Sequence, residues 1–403
     1  MQSSWRIGAI LGIPLFVDSS WFIILALVTV SYGLQPAWHA MWGNLAWVMG
    51  LALALLLFSS VLLHELGHSI AAKIQGIGVN SITLFLFGGI ASIDKESKTP
   101  GDALKVAIAG PLVSFGLFLL LAAISISPGL PEPVAVITAN VAQINLVLTL
   151  FNLIPGLPLD GGQVLKSLVW KFTGSRMQGI RWAARSGQTL GWLAIIVGVS
   201  LALLYQDFSG LWIAAIGWFA LRNAAAYNQV TNLQEAMLSL TAVDAMARDF
   251  RVVDAEISIR QFADSYLLEE NRQPVYFAAS EGRYRGLVTV DDIRAIERSQ
   301  WEVITLHEMA KPLLTIPAVR ESTPLTEVID QLETQEIPRI TVLTPADAVA
   351  GTLDRGDVVQ AIAQRLGMKV PPAMIQRIKD EGQYPPGLQL PSIARSVMEE
   401  AKA

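Results

Sequence analysis

Apolar positions are spread unevenly along the 403 residues: long runs almost free of charge fill the chain up to about residue 225, and most charged side chains lie beyond it. A helix that crosses the hydrocarbon core of a bilayer needs about 20 mostly apolar residues. Six stretches are candidates: 19–34, 46–75, 103–126, 134–154, 188–205 and 209–224. The sixth is short, and only QDFSG separates it from the fifth, so these two are expected to form a tight helical hairpin. Before the first span, WRIGAILGIPLFVDSS is apolar but broken by Gly and Pro, which suggests an extended segment lying on the membrane, with Asp18 or Ser19 capping the helix that follows. After the second span, NSITLFLFGGIASIDKE carries β-branched and aromatic residues on both sides of Gly88-Gly89 and predicts a β-hairpin. An open strand edge is costly in lipid, so this edge should be buried in protein or face a cavity. The fold class expected is a multi-pass α-helical membrane domain of about six transmembrane helices with a small β-hairpin, followed by a soluble α/β domain.

Charge in the connections orients the spans. Arg6 precedes the first; Lys73, Lys95, Lys98 and Lys105 fall around the second connection, and Lys166, Lys171, Arg176, Arg181 and Arg185 in the fourth. Arg222 ends the sixth span, and the first, third and fifth connections hold no Lys or Arg. Because cytoplasmic loops collect Lys and Arg, this alternation places both termini in the cytoplasm of a protein of the plasma or inner membrane. Trp38, Trp42 and Trp47 suit the outer interface. No small-residue cleavage site follows the first apolar stretch, so a cleavable signal peptide is not expected.

Composition narrows the chemistry. Charged residues make up 16% of the chain, against roughly 25% in ordinary soluble domains, and mean hydropathy is +0.46. The net charge of −5 and the absence of a basic cluster argue against nucleic acid as a partner. With no cysteine, disulfides, thiolate metal sites and a cysteine nucleophile are excluded, so a metal here must be held by His, Asp or Glu.

The stretch LLHELGHSIAAK, at 62–73, supplies such residues. His64 and His68 are four apart, which puts both imidazoles on one helix face, a turn apart, where they can bind one metal. Glu65 projects beside them and can take a proton from a metal-bound water, whose pKa zinc lowers to about 7. This is the helical HExxH signal of metalloproteases. Two histidines with a glutamate between them at the end of a membrane helix are more than core residues, since ionisable groups at that depth are costly and usually functional. HExxH provides two ligands. For a third, His39 lies in an outside loop and His307 in the second half of the chain. Asp160, in LTLFNLIPGLPLDGGQVL, lies at the cytoplasmic end of the fourth span, level with the histidines, where Pro155 and Pro158 break the helix and Gly161-Gly162 let the backbone turn closely. Asp160 is the better candidate; the competing, less favoured reading is an N-cap for the helix 163–170, and both roles can coexist.

HELGH at 64–68, LFGGIA at 86–91, AGPLVSFGL at 109–117 and FNLIPGLPLDGG at 151–162 resemble, over about residues 5–225, the site-2 protease family of intramembrane zinc metalloproteases. The resemblance implies a zinc ion held by His64, His68 and Asp160, with Glu65 as catalytic base. It places Asn152 near the scissile peptide, holding the substrate or the oxyanion, and makes Gly88 and Gly89 part of a substrate-guiding strand. Asn145 matches a recurrent Asn of the family, and a helix–helix hydrogen bond is the competing reading. Ser114 departs from the pattern, since many members carry Asn there. A substrate helix hides its peptide bonds in its own hydrogen bonds, so cleavage requires local unwinding and an edge strand to hold the extended segment. The expected activity is cleavage of a transmembrane protein substrate near its cytosolic end, within the lipid bilayer.

From about 240 the chain repeats itself: Met246 recurs as Met309, Pro274 as Pro338 and Asp292 as Asp357, at offsets of 63, 64 and 65 residues. Each half reads helix, strand, strand, helix. GLVTVDD at 286–292 and GTLDRGD at 351–357 resemble cystathionine-β-synthase (CBS) domains, and two copies a CBS pair. The resemblance allows an adenine nucleotide at the pair, with Thr289, Asp292 and Asp357 as contacts, and a homodimer through it. Asp354 stands where the first copy has Thr289 and would repel phosphate, so at most one good nucleotide site is expected. The expected organisation is a membrane protease domain at 1–225, a linker at 226–240, a CBS pair at 241–367 (copies 241–299 and 304–367) and a loose tail at 368–403 with a short helix at 391–402. Two rival readings stay open at this level: a CBS-regulated membrane transporter, and a catalytically silent nucleotide-sensing membrane protein.

Overall fold

A computed structural model describes residues 4–86, 88–268, 275–385 and 388–401. The chain divides into two compact units, Met1–Thr231 and Asn232–Ala403.

The first unit opens with the hairpin β1 (Ser4–Ile10) and β2 (Ile13–Asp18) and continues through α1 (Ser20–Gly33), α2 (Pro36–Trp42) and α3 (Leu45–Ile74). A second hairpin, β3 (Val79–Phe85) and β4 (Gly88–Ile93), leads to α4 (Pro100–Ser125), α5 (Glu132–Asn152), α6 (Asp160–Thr173), α7 (Arg176–Leu204) and α8 (Ser209–Ser239). The two hairpins join in one sheet of order β1-β2-β3-β4, with β2 parallel to β3 and the other pairs antiparallel. The N-terminal segment expected to be merely extended is therefore half of a sheet. Ile13, Leu15 and Val17 of β2 alternate inward and, with Ile82 and Leu84 of β3, pack on Val61, Leu62 and Leu66 of α3. Asp18 Oδ1 accepts from the Ser20 N–H, so Asp18 rather than Ser19 caps α1. At the far edge, β4 has no partner strand on its other side among the described residues.

Among the described residues, α3, α4, α5 and α7 are long and apolar enough to cross a membrane, and α1 with α2, bent by 67° at their junction, forms a fifth candidate. The sixth expected span lies in α8, where Arg222 and Asn223 dilute its apolar stretch. The expected linker at 226–240 is largely part of this same helix. The α7–α8 hairpin is closed by small residues: a Cβ on Gly191 would lie 2.9 Å from the Gly217 carbonyl, and one on Gly198 2.5 Å from the Ala214 nitrogen. Backbones approach this closely only where side chains are absent or minimal. Trp38 is buried against Tyr32 and Trp42 rather than exposed at an interface.

The second unit holds the repeat. The first half comprises α9 (Ala242–Ala245), β5 (Phe250–Asp254), α10 (Ile259–Phe262), β6 (Val275–Ser280), β7 (Arg283–Val288) and α11 (Val290–Arg294). The second comprises α12 (Leu306–Met309), β8 (Ala318–Arg320), α13 (Leu325–Thr334), β9 (Arg339–Leu343), β10 (Val349–Asp354) and α14 (Arg355–Arg365). The sheets are ordered β5-β6-β7 and β10-β9-β8, so each half has one strand more than its sequence suggested. The halves interlock. Ala247 bridges to Thr352 and Lys311 to Leu287, and Gly286 and Gly351, the first residues of the two repeated motifs, lie against Lys311 and Ala247 with no room for a Cβ. Pro274 lies outside the described residues. In the tail, the short helix expected at 391–402 is α16 (Leu390–Ala401), while the stretch before it, expected to be loose, forms α15 (Pro372–Glu381); together they bury Ile375, Ile378, Leu390 and Ala394 in the core of the second half.

Candidate metal centre

His64 and His68 sit on the inner face of α3, both buried, with their rings 5.0 Å apart. Gly67 between them faces α4; a Cβ there would stand 2.9 Å from the Ala109 carbonyl, so the two backbones touch beside the histidines. Asp160 opens α6, and the chain between α5 and α6 doubles back tightly to bring it in. Pro155 and Pro158 stop the helix, and the Leu157 N–H donates to the Ala183 carbonyl at 3.1 Å. Gly161 and Gly162 press against the backbones of Leu153–Ile154 and Gly156–Leu157, where any side chain would overlap. Asp160 does not cap α6: the helix starts at this residue, and its carboxylate turns to the imidazoles instead. Asp160 Oδ2 is 3.0 Å from His64 Nε2 and 3.3 Å from His68 Nε2, and the two Nε2 atoms are 3.3 Å apart.

His64, His68 and Asp160 each offer one ligand atom, and these atoms lie within 4.8 Å of one another. Two imidazole nitrogens and one carboxylate oxygen, with further positions open to solvent or substrate, are the donor set of a catalytic zinc site. The other ring nitrogens are occupied too. His68 Nδ1 donates to the Val106 carbonyl at 2.7 Å, and His64 Nδ1 lies 2.9 Å from Ser114 Oγ. Neither contact was anticipated from sequence. The Ser114 contact was hinted at by a polar residue inside AGPLVSFGL. The Val106 contact uses a backbone oxygen and leaves no trace in the sequence.

Glu65 is half-buried beside the pair, and its carboxylate is hydrogen-bonded by the backbone of Ala91 on β4. Gly89 of β4 lies so close that a Cβ would stand 2.5 Å from Glu65 Cγ. Asn152 reaches within 3.4 Å of His64 Nε2. Gly88, Gly89, Asn152, Glu65 and the three clustered residues all line one cavity of about 1370 Å³. Asn145 does not line it. It is fully buried between α5 and α3, donating to Ser60 Oγ at 2.9 Å and to the Val141 carbonyl, which is the helix–helix reading of this residue. Beyond β4, Glu96 lies 2.9 Å from Lys166 Nζ of α6 and 2.7 Å from Arg176 Nη2 of α7. Burial opposes its ionised form, but the two cations outweigh that and hold its carboxyl below the usual range. The loop leaving the edge strand is thereby tied to α6 and α7.

Thr289 and Asp292 pair with each other at the start of α11, and Asp292 also meets Lys311 Nζ at 2.7 Å. At the equivalent place in the second half, Asp354 and Asp357 form a capping box at the start of α14. They are held by Arg339 at 3.0 Å from Asp354 and by Lys379 of α15 at 2.6 Å from Asp357.

The sequence profile of Peptidase family M50 matches residues 52–140 and 132–194. The chain is 41% identical, over 90% of its own length and 96% of the other's, to sll0528 of Synechocystis sp., which carries a zinc metalloprotease name. Among solved structures, it is similar to the site-2 protease from Methanocaldococcus jannaschii, at 30% identity over 56% of this chain and 94% of that one, with a TM-score of 0.41. Its C-terminal part matches CBS-domain structures, among them CBSX2 in complex with AMP, at 21% identity over 31% of this chain and 98% of that one, with a TM-score of 0.26.

Proposed function

From the premise that the chain belongs to peptidase family M50, the site-2 family of zinc metalloproteases, we propose that it cleaves a transmembrane helix of a membrane-protein substrate near that helix's cytosolic end. It is a multi-pass membrane protein, and its substrate is a protein. The observation that carries the finer reading is the meeting of His64, His68 and Asp160 beside Glu65, in a cavity bordered by the edge strand β4. His64, His68 and Asp160 would hold the zinc. When bound, the ion supplies Lewis-acid polarisation and a water activated at neutral pH. Glu65, beside the two histidines and against β4, would act as the base that accepts a proton during hydrolysis and returns it to the leaving amine. Asn152, which lines the same cavity with its amide 3.4 Å from His64 Nε2, would donate to the substrate carbonyl. β4, open on its cavity side, offers backbone groups to an unwound substrate segment, with Gly88 and Gly89 letting it approach closely.

The alternation of basic connections supports cytoplasmic N- and C-termini, with the metal centre near the cytosolic leaflet. The C-terminal unit acts in this reading as a CBS pair at 241–367 that modulates the protease and offers a surface for homodimerisation. An adenine nucleotide is assigned to the first half, at Thr289 and Asp292. In the second half Lys379 already occupies Asp357, and α15 leaves no room beside Gly356. The test uses purified protein in bicelles with a single-span substrate. Wild type is expected to contain one zinc and to cut near the cytosolic end. Glu65→Gln keeps the zinc and loses about 10²–10⁴-fold in rate. Wild type without zinc, or Glu65→Gln cutting at the wild-type rate, would sink the assignment.

A further inference from the structure

We infer that Ser114 is a positioning residue for the metal centre: it sets the tautomer and tilt of His64 so that Nε2 presents its lone pair to the ion. This rests on the zinc reading above. The two histidines are supported differently. The Val106 carbonyl can only accept, so the 2.7 Å contact fixes His68 with its proton on Nδ1 and leaves Nε2 free for a metal. His64 has no such fixed acceptor. Its Nδ1 faces Ser114 Oγ at 2.9 Å, and a hydroxyl both donates and accepts. His64 Nε2 faces Asp160 Oδ2 at 3.0 Å, an acceptor, and Asn152 Nδ2 at 3.4 Å, a donor, so these neighbours do not fix the tautomer. A metal at Nε2 would require the proton on Nδ1, and the serine hydroxyl, turned to accept it, would hold that tautomer without moving a heavy atom.

Burial gives the contact its consequence. Ser114 is 0% exposed and His64 3%, so no water replaces the hydroxyl if it is removed. An alanine at 114 leaves Nδ1 buried without a partner and the ring free to tilt. Outer partners of metal-binding histidines typically change metal affinity 10–100-fold when mutated. Ser60 provides a matched control. It is also a buried serine at a helix–helix contact, but its hydroxyl oxygen accepts from Asn145 Nδ2 rather than facing a histidine ring nitrogen.

The experiment measures zinc affinity by chelator competition on the full-length protein in detergent, together with visible absorption of the cobalt(II)-loaded form. Ser114→Ala is expected to weaken zinc 10–100-fold and to alter the cobalt spectrum, with Ser60→Ala within threefold of wild type and spectrally unchanged. Zinc affinity of Ser114→Ala within threefold of wild type with the same spectrum overturns the inference. So does an equal loss in Ser60→Ala, which would mean that packing alone is responsible. If wild type itself binds no zinc, the parent reading fails first, and that outcome is separate from either of these.

Discussion

Two glycines face the metal centre from opposite sides, and replacing each with alanine should separate metal binding from proton transfer. A Cβ on Gly89 would lie 2.5 Å from Glu65 Cγ and 3.1 Å from its Cδ. Carbon atoms rest about 3.5–4.0 Å apart, so either β4 or the Glu65 side chain must yield by about 1 Å or more. A shift of that size in a positioned catalytic group costs about 100-fold in rate. The three atoms nearest this Cβ all belong to Glu65, so the clash falls on the base and zinc content should stay at the wild-type level. On the other side, a Cβ on Gly110 would lie 2.7 Å from both Cδ2 and Cε1 of His68. The imidazole must swing away, lose its bond to the Val106 carbonyl and carry Nε2 off the shared point. Gly110→Ala should therefore lose zinc by at least the 10–100-fold typical of a disturbed outer contact, and activity with it. Zinc analysis and single-turnover cleavage on the same preparations distinguish the two variants. Wild-type turnover in Gly89→Ala, or wild-type zinc affinity in Gly110→Ala, would refute the packing described for that side of the site.

Two further outcomes concern the scaffold. Burial and the neighbouring Asp354 push the Asp357 carboxyl up to about 6 from an ordinary 3.8, while Lys379 opposes this and its own pKa rises. A raised carboxyl pKa stabilises the fold at low pH and loses that contribution as pH climbs from about 4 through 6, by up to about 3 kcal/mol before the lysine's offset. The slowest-exchanging amides of residues 241–367, which report global opening of that unit, should accordingly quicken, after intrinsic correction, between about pH 4 and 6.5. Asp357→Asn should flatten that dependence, and an unchanged pH response in the variant would assign it to another group. Gly198→Leu should force α7 and α8 apart and lower the resistance of the protein to SDS unfolding by about 1–3 kcal/mol; an unaltered unfolding midpoint would contradict the close contact with Ala214.

What was legible in the sequence follows from how local each signal is. The spans are written in composition, and the pairing of His64 with His68 in helical periodicity, so both emerge without tertiary knowledge. Asp160 was reachable because the topology puts two span ends at one level and because Gly161-Gly162 mark a tight backbone approach. Strands β5 and β8 were missed because each is short and gains its order from a parallel partner more than 20 residues away. The tail was half read for a different reason: the helix expected at 391–402 forms as α16, but α15 was missed. Pro and Gly residues suggested looseness there, yet Ile375 and Ile378 are three apart and both buried. The helical stripe was present and outweighed by the breakers around it.

The tail also breaks the symmetry that the repeat would otherwise impose. Interlocked halves with equivalent glycines at 286 and 351 should present two equivalent pockets, one at the start of α11 and one at the start of α14. They differ in charge and in cover. The first holds Thr289 and a half-buried Asp292 balanced by Lys311, whose side chain is 54% exposed and free to swing aside. The second holds two carboxylates, Asp354 and Asp357, at most 6% exposed, with Arg339 and Lys379 locked onto them. Displacing Lys379 would leave adjacent buried acids with one cation between them, which is strongly unfavourable. An anionic ligand gains nothing there, since it would have to replace the lysine with more negative charge. The change from Thr289 to Asp354 and the packing of α15 are therefore two parts of one arrangement: the acid needs the tail lysine, and the tail lysine closes the pocket that the acid has already made hostile to phosphate.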